Sequence, residues 1–258
     1  MEKLLEVKNL TKKYYVGKAE NRVVDHVSMD VDRGEFVAVM GASGSGKTSL
    51  MHLLAGIDDF DEGSVKYIGG TDMTEKGTAG GADFGNMSGK AKSLFRRRNI
   101  GIVFQQQCLI PDLTVYENIM LPMMLLRRPA GKDTVLKLCG RFGLKEHIRK
   151  YPSQLSGGQQ QRAAILRSVV NQPPILLCDE PTGSLNSAQT KLVMDLLDEL
   201  NRNGQTIILV THDMKVAARG QRVVYIEDGH VGGEIRLSKE EPEEAEQKLM
   251  DFLKERGW

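Results

Sequence analysis

The sequence has no CxxC pair, almost no net charge and no long apolar run. Cys108, Cys139 and Cys178 stand far apart, so neither a disulfide framework nor a zinc site is suggested and a reducing cytosol fits best. Lys and Arg number 35 against 34 Asp and Glu, so no global field draws the chain to nucleic acid or anionic lipid. No uninterrupted apolar stretch approaches the ~20 residues that a spanning helix needs. The most apolar segment, Ile119 to Leu126, contains Pro122 and runs into Arg127 and Arg128. The N-terminus alternates polar and apolar residues without the pattern of a secretion signal. Work at a membrane would therefore need recruitment by a partner. What is present is 258 residues without internal repeat, enough for one or two domains and a substantial core.

The patterning predicts strands at Leu4 to Val7, Val27 to Val31, Glu35 to Met40, Glu62 to Ile68 and Asn99 to Phe104. Ile175 to Cys178, Thr206 to Val210 and Val223 to Ile226 are further apolar runs of strand length. Helices are expected at Ser49 to Ala55, from Thr114 to about Arg149, at Gln159 to Val170 (stopped by Pro173 and Pro174) and at Leu192 to Leu200. Strands alternating with helices imply a mostly parallel sheet with a helical insertion in its middle. Gly69, Gly70, Gly77, Gly80, Gly81, Gly85 and Gly89 stud a polar insert that reads as surface loop.

Gly41-Ala42-Ser43-Gly44-Ser45-Gly46-Lys47-Thr48 matches GxxxxGK[ST] after an apolar strand and before a helix beginning near Ser49. Its glycines let successive N–H groups face phosphate oxygens, and the helix start adds a favourable dipole. Lys47 supplies charge for the β- and γ-phosphates, and the Thr48 hydroxyl can ligate Mg²⁺. The strand Ile175 to Cys178 ends in Asp179-Glu180. Asp179 is placed to hold magnesium and Glu180 to polarise an attacking water, although such a pair can also be a solvated turn.

Leu155-Ser156-Gly157-Gly158-Gln159-Gln160-Gln161-Arg162, a short interval before Asp179-Glu180, resembles the signature motif of ATP-binding cassette ATPases. Ser156 and the N–H groups of Gly157 and Gly158 at a helix start, with Gln159 after them, make a second anion site. The resemblance extends from Leu4 to about Gly233. It implies a P-loop NTPase with a RecA-like α/β core, an antiparallel β subdomain near the N-terminus and a helical subdomain inserted at about residues 107–167. The cassette would span residues 1–237, with a helical extension over 238–258. It also implies ATP and Mg²⁺, and two cassettes packed head to tail so that one signature closes over ATP on the other's P-loop. Gln105, after Ile102-Val103-Phe104, resembles the Q-loop glutamine near magnesium, with Gln106 and Gln107 adjacent. His212 resembles the switch histidine that contacts the γ-phosphate. Tyr14 resembles the aromatic that stacks on adenine, a role open also to Tyr15.

The motifs together are similar to those of the MacB, LolD and bacitracin-resistance group. The group implies a separate permease, cargo among antimicrobial peptides, lipoproteins or drugs, and a place on the cytoplasmic face of the membrane. No nucleic-acid partner is implied. Pro111 to Asn118 lies where the family receives its membrane partner, although Asp112 and Thr114 read equally as loop and cap residues. Asn186 departs from the aspartate usual in the D-loop. Ala245, Leu249, Phe252 and Leu253 form one stripe of a C-terminal helix capped by Ser238, suited to packing on its own domain or to a partner. Arg96-Arg97-Arg98 reads as a solvated charge run. Cassettes that act in DNA repair or translation carry long coiled-coil insertions or two cassettes in one chain, and neither is present. A binding module in which ATP closure is the signal is the remaining rival.

Overall fold

The structure, a computed structural model, describes residues 2–17, 19–68, 81–126, 132–237 and 242–256. Its strands are β1 (Lys3–Val16), β2 (Ala19–Asp32), β3 (Phe36–Met40), β4 (Glu62–Tyr67), β5 (Ala82–Asp83), β6 (Ile100–Val103), β7 (Ile175–Asp179), β8 (Thr206–Val210), β9 (Arg222–Glu227) and β10 (His230–Arg236). Its helices are α1 (Lys47–Leu54), α2 (Gly89–Asn99), α3 (Val115–Leu125), α4 (Lys132–Arg141), α5 (Gly157–Val169), α6 (Ser187–Arg202), α7 (Met214–Ala217) and α8 (Pro242–Lys254).

Two sheets result. An antiparallel sheet has the order β2-β1-β4-β5, and a six-stranded sheet has the order β10-β9-β3-β8-β7-β6. In the second, β9, β3, β8, β7 and β6 are parallel and β10 adds an antiparallel edge. Residues of β3, β7 and β8 are buried throughout, as expected for strands covered on both faces. Strand β3 lies between β9 and β8, with β7 next along. The loop after β3 therefore emerges beside the ends of β7 and β8, where ligands of open α/β sheets bind.

One face of the parallel sheet packs through Val37, Ile208 and Leu177 against Leu53 and Leu54 of α1 and Leu5 and Val31 of the antiparallel sheet. The other face, through Leu176 and Leu209, meets Ile119 of α3, Leu166 of α5 and Leu197 of α6. A third cluster joins Ala38, Val223 and Tyr225 to Ala245, Leu249, Phe252 and Leu253. The C-terminal stripe thus packs on its own chain. Arg256 lies 3.7 Å from the Phe252 ring centroid and donates to the Gly232 carbonyl. Ser238, the expected cap, falls outside the described residues.

Three expectations change. The polar insert is not wholly a surface loop: Gly69, Gly70, Gly77 and Gly80 lie outside the described residues, but Gly81 precedes β5, Gly85 lies in a 3-10 turn at Phe84–Asn86 and Gly89 opens α2. Phe84 and Phe95 supply what the glycines obscured: they pack tilted against Tyr67 at centroid separations of 5.3 and 5.2 Å and edge-on to each other at 5.4 Å, while the Tyr67 hydroxyl donates to Leu54 O at 2.8 Å. The arginine run is not uniformly solvated. Arg96 donates to Gly56 O at 2.7 Å and burial lowers its pKa, whereas Arg97 and Arg98 are exposed. The run occupies the last turn of α2, where cations complement the helix dipole. Finally, the helical stretch from Thr114 divides into α3, α4 and a 3-10 turn at Lys145–His147. Thr114 is the N-cap of α3 and forms a capping box with Glu117.

Candidate nucleotide-binding site

The phosphate-binding loop takes its shape from its neighbours. Gly46, the N-cap of α1, has φ +98°, and a Cβ there would lie 2.0 Å from Val23 O of β2. At Gly41 a Cβ would lie 2.1 Å from Ile226 O of β9. Glycine is therefore required by two strands pressing on the loop as well as by the turn. The turn after β9 closes the contact: Asp25 N donates to Gly229 O at 2.9 Å, and Gly229 N donates to Ser45 O at 3.1 Å. No side chain caps α1, so its first N–H groups remain available to an anion.

Lys47 is buried and bends back on its own loop, donating to Gly41 O at 2.8 Å, Ala42 O at 2.6 Å and Ser45 Oγ at 3.3 Å. Burial lowers its pKa, opposed by the charges of Glu180 and Asp179. The Thr48 hydroxyl donates to Asp179 Oδ1 at 3.2 Å. Asp179 ends β7 in a buried position; burial raises its pKa, while Thr48, His52 and Lys47 oppose the rise. His52 was not singled out from sequence, although it stands one turn after Thr48 on the same helical face. The pair of hard oxygen donors, Thr48 and Asp179, suits Mg²⁺.

Glu180 has φ +47°, an uncommon conformation for a side-chain-bearing residue and one found at functional sites. Its N–H donates to Val210 O at 2.9 Å, and its Oε1 lies 2.8 Å from His212 Nδ1. A Cβ on Gly183 would sit 3.2 Å from Gln105 Nε2 and 3.6 Å from Glu180 Oε2. Gln105, Glu180 and His212, far apart in sequence, thus gather around the turn at Gly183. Ser43 and Ser49 lie on the phosphate loop and on α1.

Ser156 caps α5 in a reciprocal box: Ser156 N donates to Gln159 Oε1 at 2.9 Å, and Gln159 N to Ser156 Oγ at 3.4 Å. A Cβ on Gly158 would meet Gln189 Cγ of α6 at 2.9 Å, and one on Gly157 would meet Leu185 Cδ2 at 3.5 Å. Among the described residues no hydrogen bond or ion pair joins Ser156, Gly157, Gly158 or Gln159 to the phosphate loop. Asn186 is the N-cap of α6, its Oδ1 accepting from Gln189 N at 2.9 Å, a bond that aspartate makes equally well. Tyr14, 43% exposed, donates its hydroxyl to Asp58 Oδ2 at 2.6 Å, with Lys12 Nζ 5.0 Å from the ring centroid. That hydrogen bond, with burial and the Asp58 charge, pushes its pKa up to about 12. Tyr15 is 64% exposed.

Residues 24–183 match the family model described as ABC transporter. The chain belongs to the ABC transporter family. It is an ATP-binding cassette and an ATPase. The cassette is 41% identical over 233 residues to the lipoprotein-releasing system ATP-binding protein LolD of Syntrophotalea carbinolica, covering 89% of this chain and 97% of that protein. It is 37% identical to the macrolide export ATP-binding/permease protein MacB of Photorhabdus laumondii, over 90% of this chain but only 34% of that protein. The cassette thus spans about the full length of the first relative and about a third of the second. Among solved structures, the ATP-binding cassette MJ0796, in a dimeric post-hydrolysis state bound to ADP and Pi, matches with TM-score 0.79 and 36% identity, over 92% of this chain and 100% of that one. The resemblance stated from the motifs, to the group with MacB and LolD, agrees with these relatives. No helix among the described residues is long and apolar enough to cross a membrane.

Proposed function

We propose that the cassette uses ATP hydrolysis to drive a separate membrane permease that extracts or exports a lipoprotein, an antimicrobial peptide or a drug. It would act at the cytoplasmic face of the membrane. The supporting observation is the division of the site. Lys47, Thr48 and Asp179 gather at one point and Gln105, Glu180 and His212 beside it, while Ser156 to Gln159 stand apart on α5. The signature is then free to complete the site of a second copy.

In this reading Gly41, Ser43, Gly44, Ser45, Gly46 and Ser49 shape the phosphate cradle, and Lys47 exchanges its own-loop carbonyls for phosphate oxygens. Tyr14 offers a ring face to adenine. Mg²⁺, held by Thr48 and Asp179 with Gln105 nearby, would neutralise charge on the transferred phosphoryl group. Glu180 accepts the proton of the attacking water, and His212 holds its carboxylate in place through Oε1. Residues 1–237 form the cassette, with about 107–167 as its helical subdomain, and 238–258 are an extension.

Glu180→Gln removes the base and leaves the phosphate cradle intact, so the variant with Mg·ATP elutes as a dimer in gel filtration and hydrolyses no ATP. Adding Lys47→Ala returns it to monomer. A monomer for Glu180→Gln at saturating ATP would refute the head-to-tail reading.

A further inference from the structure

The signature turn has an attachment that its motif does not contain. His147 ends the 3-10 turn before it, with its N–H donating to Leu144 O at 2.9 Å. Its Nε2 lies 3.0 Å from Gln159 Nε2, and its Nδ1 is buried with no hydrogen-bond partner among the described residues. Gln159 has two ends with opposite hydrogen-bonding character. Its oxygen must face Ser156, because the group opposite is the Ser156 N–H at 2.9 Å. Its NH₂ is thereby aimed at His147, so His147 Nε2 must be a bare acceptor. The ring proton then sits on Nδ1, the nitrogen that has no partner among the described residues. Leaving a buried N–H unpaired costs free energy. The other tautomer would set a donor against a donor, and the proton stays on Nδ1.

We propose that His147 is a positioning residue for the signature motif: it accepts from the Gln159 amide and so holds Gln159 in the orientation that fixes Ser156. The inference rests on the composite-site reading above and adds a residue to it. The consequence falls on the anion site. With Gln159 Oε1 occupied by Ser156 N–H, the Ser156 Oγ only accepts, through a long 3.4 Å contact, and its hydrogen is uncommitted. The N–H groups of Gly157 and Gly158, in the first turn of α5, have no partner within the helix. These three donors stand together at the start of α5, in the turn that the Ser156–Gln159 cap sets. Without the acceptor at His147 the Gln159 amide can turn over, its NH₂ opposing Ser156 N–H, and the cap that sets the turn is lost.

The test compares His147→Leu, which removes the acceptor at similar size, with His147→Gln, whose Oε1 reaches toward the same point. Both are made in the full chain carrying Glu180→Gln. ATP-dependent dimerisation is followed by light scattering, and binding of a fluorescent ATP analogue to the monomer is measured separately. His147→Leu should weaken dimerisation about tenfold per composite site, about 1.4 kcal/mol. Monomer affinity for the analogue should stay unchanged, and His147→Gln should restore dimerisation to within about twofold. Equal dimerisation by the Leu variant overturns the proposal, and so does failure of the Gln variant to rescue. Nitrogen-15 spectra of the histidines in the unsubstituted chain provide a readout that needs neither a variant nor a dimer. The Nδ1–H tautomer at His147 is expected, and an Nε2–H tautomer refutes the assignment. A parent Glu180→Gln protein that does not dimerise condemns the composite site alone, with the tautomer still deciding the role of His147.

Discussion

Glu35 and Arg222 make a buried ion pair between the start of β3 and the start of β9, and Glu35→Gln measures the cost of breaking it from one side. Arg222 Nε and Nη2 approach Glu35 Oε1 and Oε2 at 2.7 and 3.0 Å, a two-pronged geometry that fixes direction as well as distance. The side chains are 6% and 5% exposed. Arg222 also donates to Asp30 O of β2 at 2.5 Å and to Glu234 Oε2 at 2.9 Å. Burial opposes its charge, but the Glu35 hydrogen bonds and charge outweigh it and raise the pKa. Glutamine keeps the shape and removes the buried counter-charge, leaving only Glu234, whose side chain is 52% exposed. Breaking such a pair from one side costs about 3–5 kcal/mol, a large share of a total of about 5–15 kcal/mol. At about 2 °C per kcal/mol for a chain of this size, the melting temperature should fall by roughly 6–10 °C. Differential scanning fluorimetry without nucleotide measures it. A fall under about 2 °C would show that Glu234 and water suffice, and that Glu35 is not the counter-charge on which Arg222 depends.

Asp179→Asn should separate stability from activity. Because burial raises the Asp179 pKa in the fold, the native state holds that proton at pH values where the unfolded chain has released it. Stability from this group is therefore lost as pH rises from the ordinary carboxylate range through the raised folded value. At neutral pH the asparagine variant should melt at a higher temperature than the parent without nucleotide, yet hydrolyse no ATP. A lower melting temperature would contradict the assignment. Tyr14→Ala should weaken binding of a fluorescent ATP analogue by roughly tenfold, since aromatic stacking on a base is worth about 1–3 kcal/mol, while Tyr15→Ala should leave it nearly unchanged. The reverse order would move the adenine contact to Tyr15.

The parallel core was legible because β7 and β8 are unbroken apolar runs between turn signals. The phosphate loop was legible because its spacing is dictated by phosphate geometry. Helix α2 was not, since Lys90, Lys92 and Arg96 to Arg98 outweigh Phe95, the residue that buries it. Strand β10 escaped because its exposed edge carries Gly232, Gly233 and Glu234 in place of apolar residues. Within the site, single-residue chemistry could be read but attachments could not. That Asp58 holds Tyr14, that His52 stands by Asp179 and that His147 faces Gln159 depend on turns bringing distant residues together. Only His52 left a trace in sequence, at helical spacing from Thr48.

The contact of Gly46 with Val23 bears on how portable the phosphate loop is. Residues 41–48 do not form a self-contained module: β2 walls one side at Val23 O and β9 the other at Ile226 O. Grafted onto another strand–helix junction, the same eight residues would lose both walls and keep only the positive φ of the turn as the reason for glycine at positions 41 and 46. Engineering that trims or replaces the antiparallel sheet would therefore remodel the nucleotide cradle without altering one residue of its motif.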